Sequence, residues 1–264
     1  MQSQAISPAT KRDRRDKTYG SLEAFPEFFE KFVPPTGAFD PRGAWKVSYG
    51  VWLFAGDPGA VGFLEIERQP GADGAALKVA TRVAHLNGYQ QQSAELGCAA
   101  DTLSSLRWLT LESVSGTPEG TPVPATRTSV RVEVRGGAVQ FTRGERRRSA
   151  RAAPPVVASW GLMEALQRLS PEPSSALEFT LLDDGDLLKP AQRVTYAGKT
   201  SIQAAGGAGL TLHCWEHTGY GMLPAHYWRD AQGRLLFVVA GQRAYLYDPA
   251  AREHAAGRRR RKQA

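Results

Sequence analysis

No run of about eighteen apolar residues occurs anywhere in the chain, which excludes a membrane-crossing helix. Cysteine is almost missing. Cys98 and Cys214 are the only two, too few for a disulfide framework. They either pair in an oxidising compartment or sit apart as small buried apolar residues. Neither has the CxxC or CxxxC spacing of a metal site, and neither a G-x-S-x-G elbow nor a Walker sequence is present. No repeat of fixed period runs through the chain. The first twenty residues, MQSQAISPATKRDRRDKTYG, carry charge but no apolar core. No signal peptide is visible, so the sequence as it stands points to the cytoplasm. No metal and no cofactor are expected.

The net charge of +7 invites a nucleic-acid reading, but its distribution argues otherwise. Lys11, Arg12, Arg14, Arg15 and Lys17 stand near the start against Asp13 and Asp16, and Arg258, Arg259, Arg260, Arg261 and Lys262 near the end. Without those 10 basic and 2 acidic residues, 23 basic and 24 acidic side chains remain of the 33 and 26. The body is near neutral, and only the tails have the charge to attract phosphate or a membrane surface. The expected organisation is a disordered arm at 1–20, one β-rich domain at 21–249 and a basic tail at 250–264.

What is there is alternation. After a helical stripe at 21–32, with Ser21 as cap and Leu22, Phe25, Phe28, Phe29 and Phe32 on one face, Pro34 and Pro35 stop the helix. From Trp45 the period changes to two. Trp45, Val47, Tyr49, Val51 and Leu53 alternate with Lys46, Ser48, Gly50 and Trp52, which is a strand pattern. Turns follow about every ten residues, at Asp57-Pro58-Gly59, Gly71-Ala72-Asp73-Gly74 and Asn87-Gly88, a spacing typical of a sandwich or barrel. The Pro/Thr/Gly-rich residues 116–126 form a long loop within one domain. Val130, Val132 and Val134 then lead to a Gly136-Gly137 hairpin turn. A second helix is expected at 159–169, with Ser159 as cap and Leu162, Met163, Leu166 and Leu169 as its stripe. Strands resume to Tyr247, for about twelve in all. The helices are expected to plug or cover the sheet.

Three segments bear on chemistry. His213-Cys214-Trp215-Glu216-His217 matches the H-x-x-E-H signature of inverzincin peptidases, which needs both imidazoles on one helical face. In a strand, positions i and i+4 lie about 13 Å apart at about 3.3 Å per residue, too far to share one zinc ion. Asp183-Asp184-Gly185-Asp186 resembles part of a calcium loop, but Val194 stands at the closing acidic position. Arg127, Arg131, Arg135, Arg143, Arg146, Arg147, Arg148 and Arg151 make a basic segment with only Phe141 to stack on a base. It reads as a charged sheet edge that resists aggregation.

One resemblance emerges from GVWLFAGDPGAVGFLEI, LLDDGDLLKPAQRVTYAG and the closing segment of Gly221, Pro224, Tyr227, Trp228, Asp230, Gly233, Arg234 and Leu235. The layout of helix, long antiparallel strands, mid-chain helix and C-terminal meander resembles the LolA-like lipoprotein-carrier superfamily and related periplasmic proteins. The resemblance covers residues 40–248 in layout and 181–247 in motif. It implies a half-open barrel, a periplasmic location and an apolar concavity that takes up acyl chains.

The expected fold is therefore mainly β: an antiparallel, incompletely closed β-barrel or strongly curved sheet with two plugging helices. The first functional expectation is non-catalytic binding of a lipid or acyl chain, with Phe28, Phe29, Trp45, Trp215 and Trp228 lining the concavity. The second is an enzyme using Glu216, His217, Tyr220, His226 and Tyr227 for acid–base work. The third is an interaction protein using its basic tails.

Overall fold

The computed structural model describes residues 22, 24–54, 59–85, 87–172, 175–207 and 209–256. The arm at 1–20, the cap Ser21, Asp57-Pro58 and the arginines of 258–261 lie outside the described residues. Fifteen strands form one sheet: β1 (Trp45–Leu53), β2 (Gly62–Gly71), β3 (Gly74–His85), β4 (Gly88–Ala99), β5 (Leu106–Gly116), β6 (Thr128–Arg135), β7 (Ala138–Arg143), β8 (Arg146–Arg151), β9 (Val156–Ala158), β10 (Leu177–Asp183), β11 (Leu187–Gln203), β12 (Gly209–Gly219), β13 (Ala225–Arg229), β14 (Leu235–Ala240) and β15 (Arg243–Tyr247). The helices are α1 (Pro26–Phe29), α2 (Ser159–Leu166) and α3, residues 251–256, in what was expected to be tail. No described helix is long and apolar enough to cross a membrane.

The sheet order runs β8 back to β1, crosses to β15, and runs back to β9. Each neighbouring pair is antiparallel except β9 with β10. The two edge strands, β8 and β9, are consecutive in sequence, joined by residues 152–155. Four residues span at most about 17 Å, whereas fifteen strands laid flat at about 4.8 Å would extend about 67 Å. The sheet must curl until its edges nearly meet. Ala152 N donates to Gly137 O (2.9 Å), extending the β7–β8 pairing, and Thr180 Oγ1 to Ala153 O (2.8 Å), tying the linker to β10. Across the seam itself Arg148 Nη2 of β8 donates to Asp186 O of the β10–β11 turn (2.7 Å). No strand ladder closes the seam, so this is an incompletely closed barrel, the expected fold class.

Period-2 alternation sorts the side chains into two cores. Val47, Tyr49, Val51, Leu64, Ile66, Leu77, Val79, Leu96, Leu109 and Val132 fill the inside, packed against Leu162, Met163 and Leu166 of α2. Leu212, Cys214, Trp228, Phe237, Val239, Ala244 and Leu246 form a second layer on the opposite face, covered by Leu22, Phe25 and Phe32 around α1. Of the two helices, α2 plugs the barrel and α1 covers it from outside. Phe237 is the anchor of that outer layer, 5.9, 5.2 and 5.0 Å from the rings of Phe28, Phe29 and Phe32.

α1 is shorter than its apolar stripe. Pro26 lacks an N–H and disfavours helical backbone at the residue before it. Phe25 accordingly sits at φ −126°, ψ 51°, and the helix starts at Pro26. α2 is held by charge at both flanks. Glu164, 1% exposed, receives Arg68 Nε (2.8 Å), Arg168 Nε (2.9 Å) and the Ser104 hydroxyl. At its C-terminus Arg229 Nη1 donates to Leu166 O (3.0 Å) and Gln167 O (2.8 Å), a cation placed where the helix dipole is negative.

Candidate functional site

The concavity is packed. In place of one wide interior cavity, the curled sheet leaves a groove at one end of the barrel and a small cavity at the other. On β10 Leu177 lines the groove and Asp183 the cavity, about 20 Å apart at about 3.3 Å per residue.

The groove lies at the seam, where the β6–β7 turn at Gly136-Gly137 and the Pro154-Pro155 segment part company. It has a volume of about 670 Å³ and an apolar wall that includes Leu103, Leu106, Val134, Pro155, Val156 and Leu177. Asp101, Thr102, Ser105 and Glu178 supply polar groups. At this end the inward rows of β4, β5 and β6 are apolar, with Cys98, Leu106 and Val134, so where the edges separate they leave an apolar surface open to solvent.

The cavity, about 100 Å³, lies at the other mouth, where inward rows turn polar. On β4 the row Cys98, Leu96, Ala94 continues as Gln92 and Gln90; on β15 it ends in Tyr245 and Arg243. Asp183 and Asp184 from the β10–β11 turn and Ser159 and Trp160 from the start of α2 complete the lining. Asp183 is spoken for, by Lys189 Nζ (2.7 Å) and the Ser159 hydroxyl (3.2 Å). Burial first, then neighbouring Asp183, pushes the Asp184 carboxyl above its ordinary range. Asp184 has φ +49°, a left-handed conformation that Asp and Asn tolerate better than most.

The five acid–base candidates are distributed over both faces of the sheet. Glu216 and His226 oppose each other across β12–β13 on the outer face, 3.8 Å apart. Desolvation lowers the His226 pKa, and the Glu216 charge opposes that shift. His217 and Tyr227 lie inside. Tyr220 is 75% exposed on the turn. The pleat itself separates them, since 216 and 217 must point to opposite sides.

His217 is 1% exposed and stacked near Phe179, 5.1 Å between centroids. Gln192 Nε2 donates to Pro190 O (2.8 Å) and Tyr220 O (2.9 Å), which fixes its Oε1 as an acceptor. His217 Nε2, 3.1 Å away, therefore carries the proton. Its Nδ1 has no partner among the described residues. Burial pulls the His217 pKa down to about 4. Burial likewise raises the Tyr227 phenol.

The five aromatics expected to line one concavity are divided in the same way. Phe28 and Phe29 belong to α1 on the outer face, and Trp228 is fully buried beneath it. Trp45 and Trp215 face inward, Trp215 under the Arg229 guanidinium at 4.5 Å. None of the five lines the groove or the cavity. His213, the other imidazole of the H-x-x-E-H match, hydrogen-bonds through Nδ1 to the Tyr196 hydroxyl (2.9 Å), well away from His217 along β12. Cys98 lies in the inner core and Cys214 in the outer; both are free thiols. The described residues contain no group of three or more His, Cys, Asp or Glu placed to hold a metal ion. Sequence reading did not single out the groove residues, because Leu103, Val134 and Leu177 meet only when the two edges come together.

No protein-family model matches the chain, and no curated protein matches it. Among solved structures it is similar to a beta-barrel-like protein of domain of unknown function DUF1849 from Brucella abortus. Identity is 12%, the TM-score is 0.53, and the match covers 78% of this chain and 95% of that one. The likeness is one of fold. A DUF1089 family protein from Pseudomonas aeruginosa matches at 10% identity and a TM-score of 0.37, again over 78% and 95% of the two chains.

Proposed function

We propose that the chain is a non-catalytic binding protein that takes an apolar chain, such as the acyl chain of a lipid, in the seam groove. The carrying observation is the open apolar wall of about 670 Å³ where the barrel fails to close, within the usual range of ligand pockets, about 300–1,000 Å³. Each methylene that leaves water contributes about 0.8 kcal/mol, so a long chain gains affinity without any directional contact. Asp101, Thr102, Ser105 and Glu178 leave a polar rim for a headgroup. The distribution of Glu216, His226, His217 and Tyr227 over both faces speaks against a shared acid–base centre.

This reading extends the LolA-like resemblance, with the ligand moved from the concavity to the seam. It goes with a single domain at 21–249 and a periplasmic setting. The test is titration of delipidated protein with a fluorescent fatty-acid probe. Leu177→Arg and Val134→Arg, both half-buried in the groove, are expected to weaken binding at least about tenfold, since each places a charge on the apolar wall. Leu187→Arg, at an exposed site away from the groove, is expected to leave it unchanged. Absence of probe binding by the parent protein, or equal binding by all variants, sinks the proposal.

A further inference from the structure

The polar cavity at the opposite mouth is a second and separate feature. Its lining is contributed by β2, β3, β4, β5, the β10–β11 turn, the start of α2 and β15, so no local motif builds it. The wall carries charges of both signs that do not neutralise each other. Lys189 is committed to Asp183. Asp184 has no ion-pair or hydrogen-bond partner for its side chain among the described residues, although the Arg243 charge reaches it through space and partly offsets the upward shift of its pKa. The Arg243 charge also acts on the Tyr245 phenol, opposing the rise that burial gives its pKa, and Arg243 pairs with no carboxylate among the described residues. An unpaired carboxylate and an unpaired guanidinium thus stand on the wall of one cavity, beyond ion-pair distance of each other.

The remaining groups suit an organic ligand. The side chains of Gln92 and Trp160 make no hydrogen bond to another described residue, which leaves an amide and an indole N–H for a guest. α2 begins at the cavity with Ala158, Ser159 and Trp160, and no side chain caps its first turn. The free N–H groups of that turn favour negative charge on the side where α2 enters. A bound metal is disfavoured by Arg243 at the same wall. Volume limits the ligand further. One water needs at least about 10–15 Å³ of such space, so about 100 Å³ accommodates a molecule of only a few non-hydrogen atoms.

We infer that this cavity binds a small zwitterion of the α-amino-acid type, its ammonium on Asp184 and its carboxylate on Arg243. Trp160 walls the apolar side of the ligand, and Gln92 hydrogen-bonds whichever polar group remains. A ligand with only one of the two charges satisfies one wall and leaves the other unpaired. A neutral apolar ligand satisfies neither.

The experiment is calorimetric titration of the full chain with L-serine, ethanolamine and lactate, chosen to carry both charges, the positive alone and the negative alone. L-Serine is expected to bind saturably and at least about tenfold more tightly than either of the others, the usual cost of an unpaired polar group in a site. Asp184→Asn and Arg243→Gln are each expected to weaken L-serine binding by at least about tenfold. Both side chains are exposed, so folding should survive. Circular dichroism and an unchanged melting temperature verify that, and the fatty-acid probe, which reports the groove at the other end, provides an independent readout. No saturable L-serine binding, comparable binding of ethanolamine or lactate, or a smaller loss in either folded variant overturns the inference.

Discussion

Replacing Glu164 with glutamine should be among the most damaging conservative changes in the protein. The carboxylate is 1% exposed and shared by two guanidiniums, Arg68 at 2.8 Å and Arg168 at 2.9 and 3.1 Å, whose side chains are only 8% and 13% exposed. The Ser104 hydroxyl also donates to it. Glutamine keeps the shape but removes the negative charge that both guanidiniums share, leaving two largely buried cations without their common partner. Breaking a buried pair by removing one partner costs about 3–5 kcal/mol, about a fifth or more of the stability of an ordinary domain at about 5–15 kcal/mol. The assay is equilibrium unfolding in urea. With a slope no steeper than about 3 kcal/mol per molar, the midpoint should fall by about 1 M or more. Lys78→Ala is the control. Its partner Glu95 is 4.0 Å away and both side chains are more than 60% exposed, so the loss should stay below about 1 kcal/mol. Arg68→Met combined with Glu164→Met should cost less than the two single changes together, because both members of the strongest pair leave at once. The reasoning is refuted if Glu164→Gln costs no more than Lys78→Ala.

Three further outcomes follow from the same geometry. His217 has a folded pKa of about 4 against 6.5 in the unfolded chain; its contribution is present above 6.5 and lost as pH falls through that window. The loss amounts to at most about 3 kcal/mol, and His217→Gln should flatten the pH dependence of the melting temperature between those values. Phe237→Ala removes the ring on which Phe28, Phe29 and Phe32 converge and should cost about 3–5 kcal/mol, with new protease cleavage around residues 25–32. Gly97 lies under the Trp108 indole across β4–β5, where a Cβ would collide with the ring; Gly97→Val should lower the melting temperature and shift tryptophan fluorescence, whereas Gly37→Ala, with open space around it, should do neither.

How much was legible follows the range of each interaction. The hairpin β6–β7 could be read directly, since Val130, Val132 and Val134 share a face and Gly136-Gly137 takes positive φ at the turn, 55° and 79°. The faces of β12 were legible too: Cys214 lies in the outer core, and Trp215 and His217 lie in the inner. Of the Arg-rich stretch read as a charged edge, Arg146, Arg147, Arg148 and Arg151 lie on edge strand β8, whereas Arg131 and Arg135 lie on β6 and Arg143 on β7, strands with neighbours on both sides. Other features needed longer range. About twelve strands were expected and fifteen form; QRVTYAG and KTSIQAA, divided by Gly198, run as the single β11, because the register shift between Tyr196 and Gly198 absorbs the irregularity without breaking the ladder. β9 is three residues long and pairs in parallel with β10 after the α2 crossover; it is too short to show a period.

The sequence alone determined which side chains share a face, because alternation is a property of the extended backbone and needs no partner. It therefore determined the fold class, and the same alternation requires Glu216 and His217, adjacent in one strand and grouped as acid–base candidates, to point to opposite faces. Only the tertiary structure decided what each face meets. The pairing of β1 with β15 joins the first and last strands of the chain in the middle of the sheet, and the curl of the sheet places α1 outside and α2 inside and brings β8 and β9 close without a ladder between them. The groove and the polar cavity both arise from that closure. Their walls come from strands far apart in the chain, and local periodicity carries no information about which distant strands become neighbours.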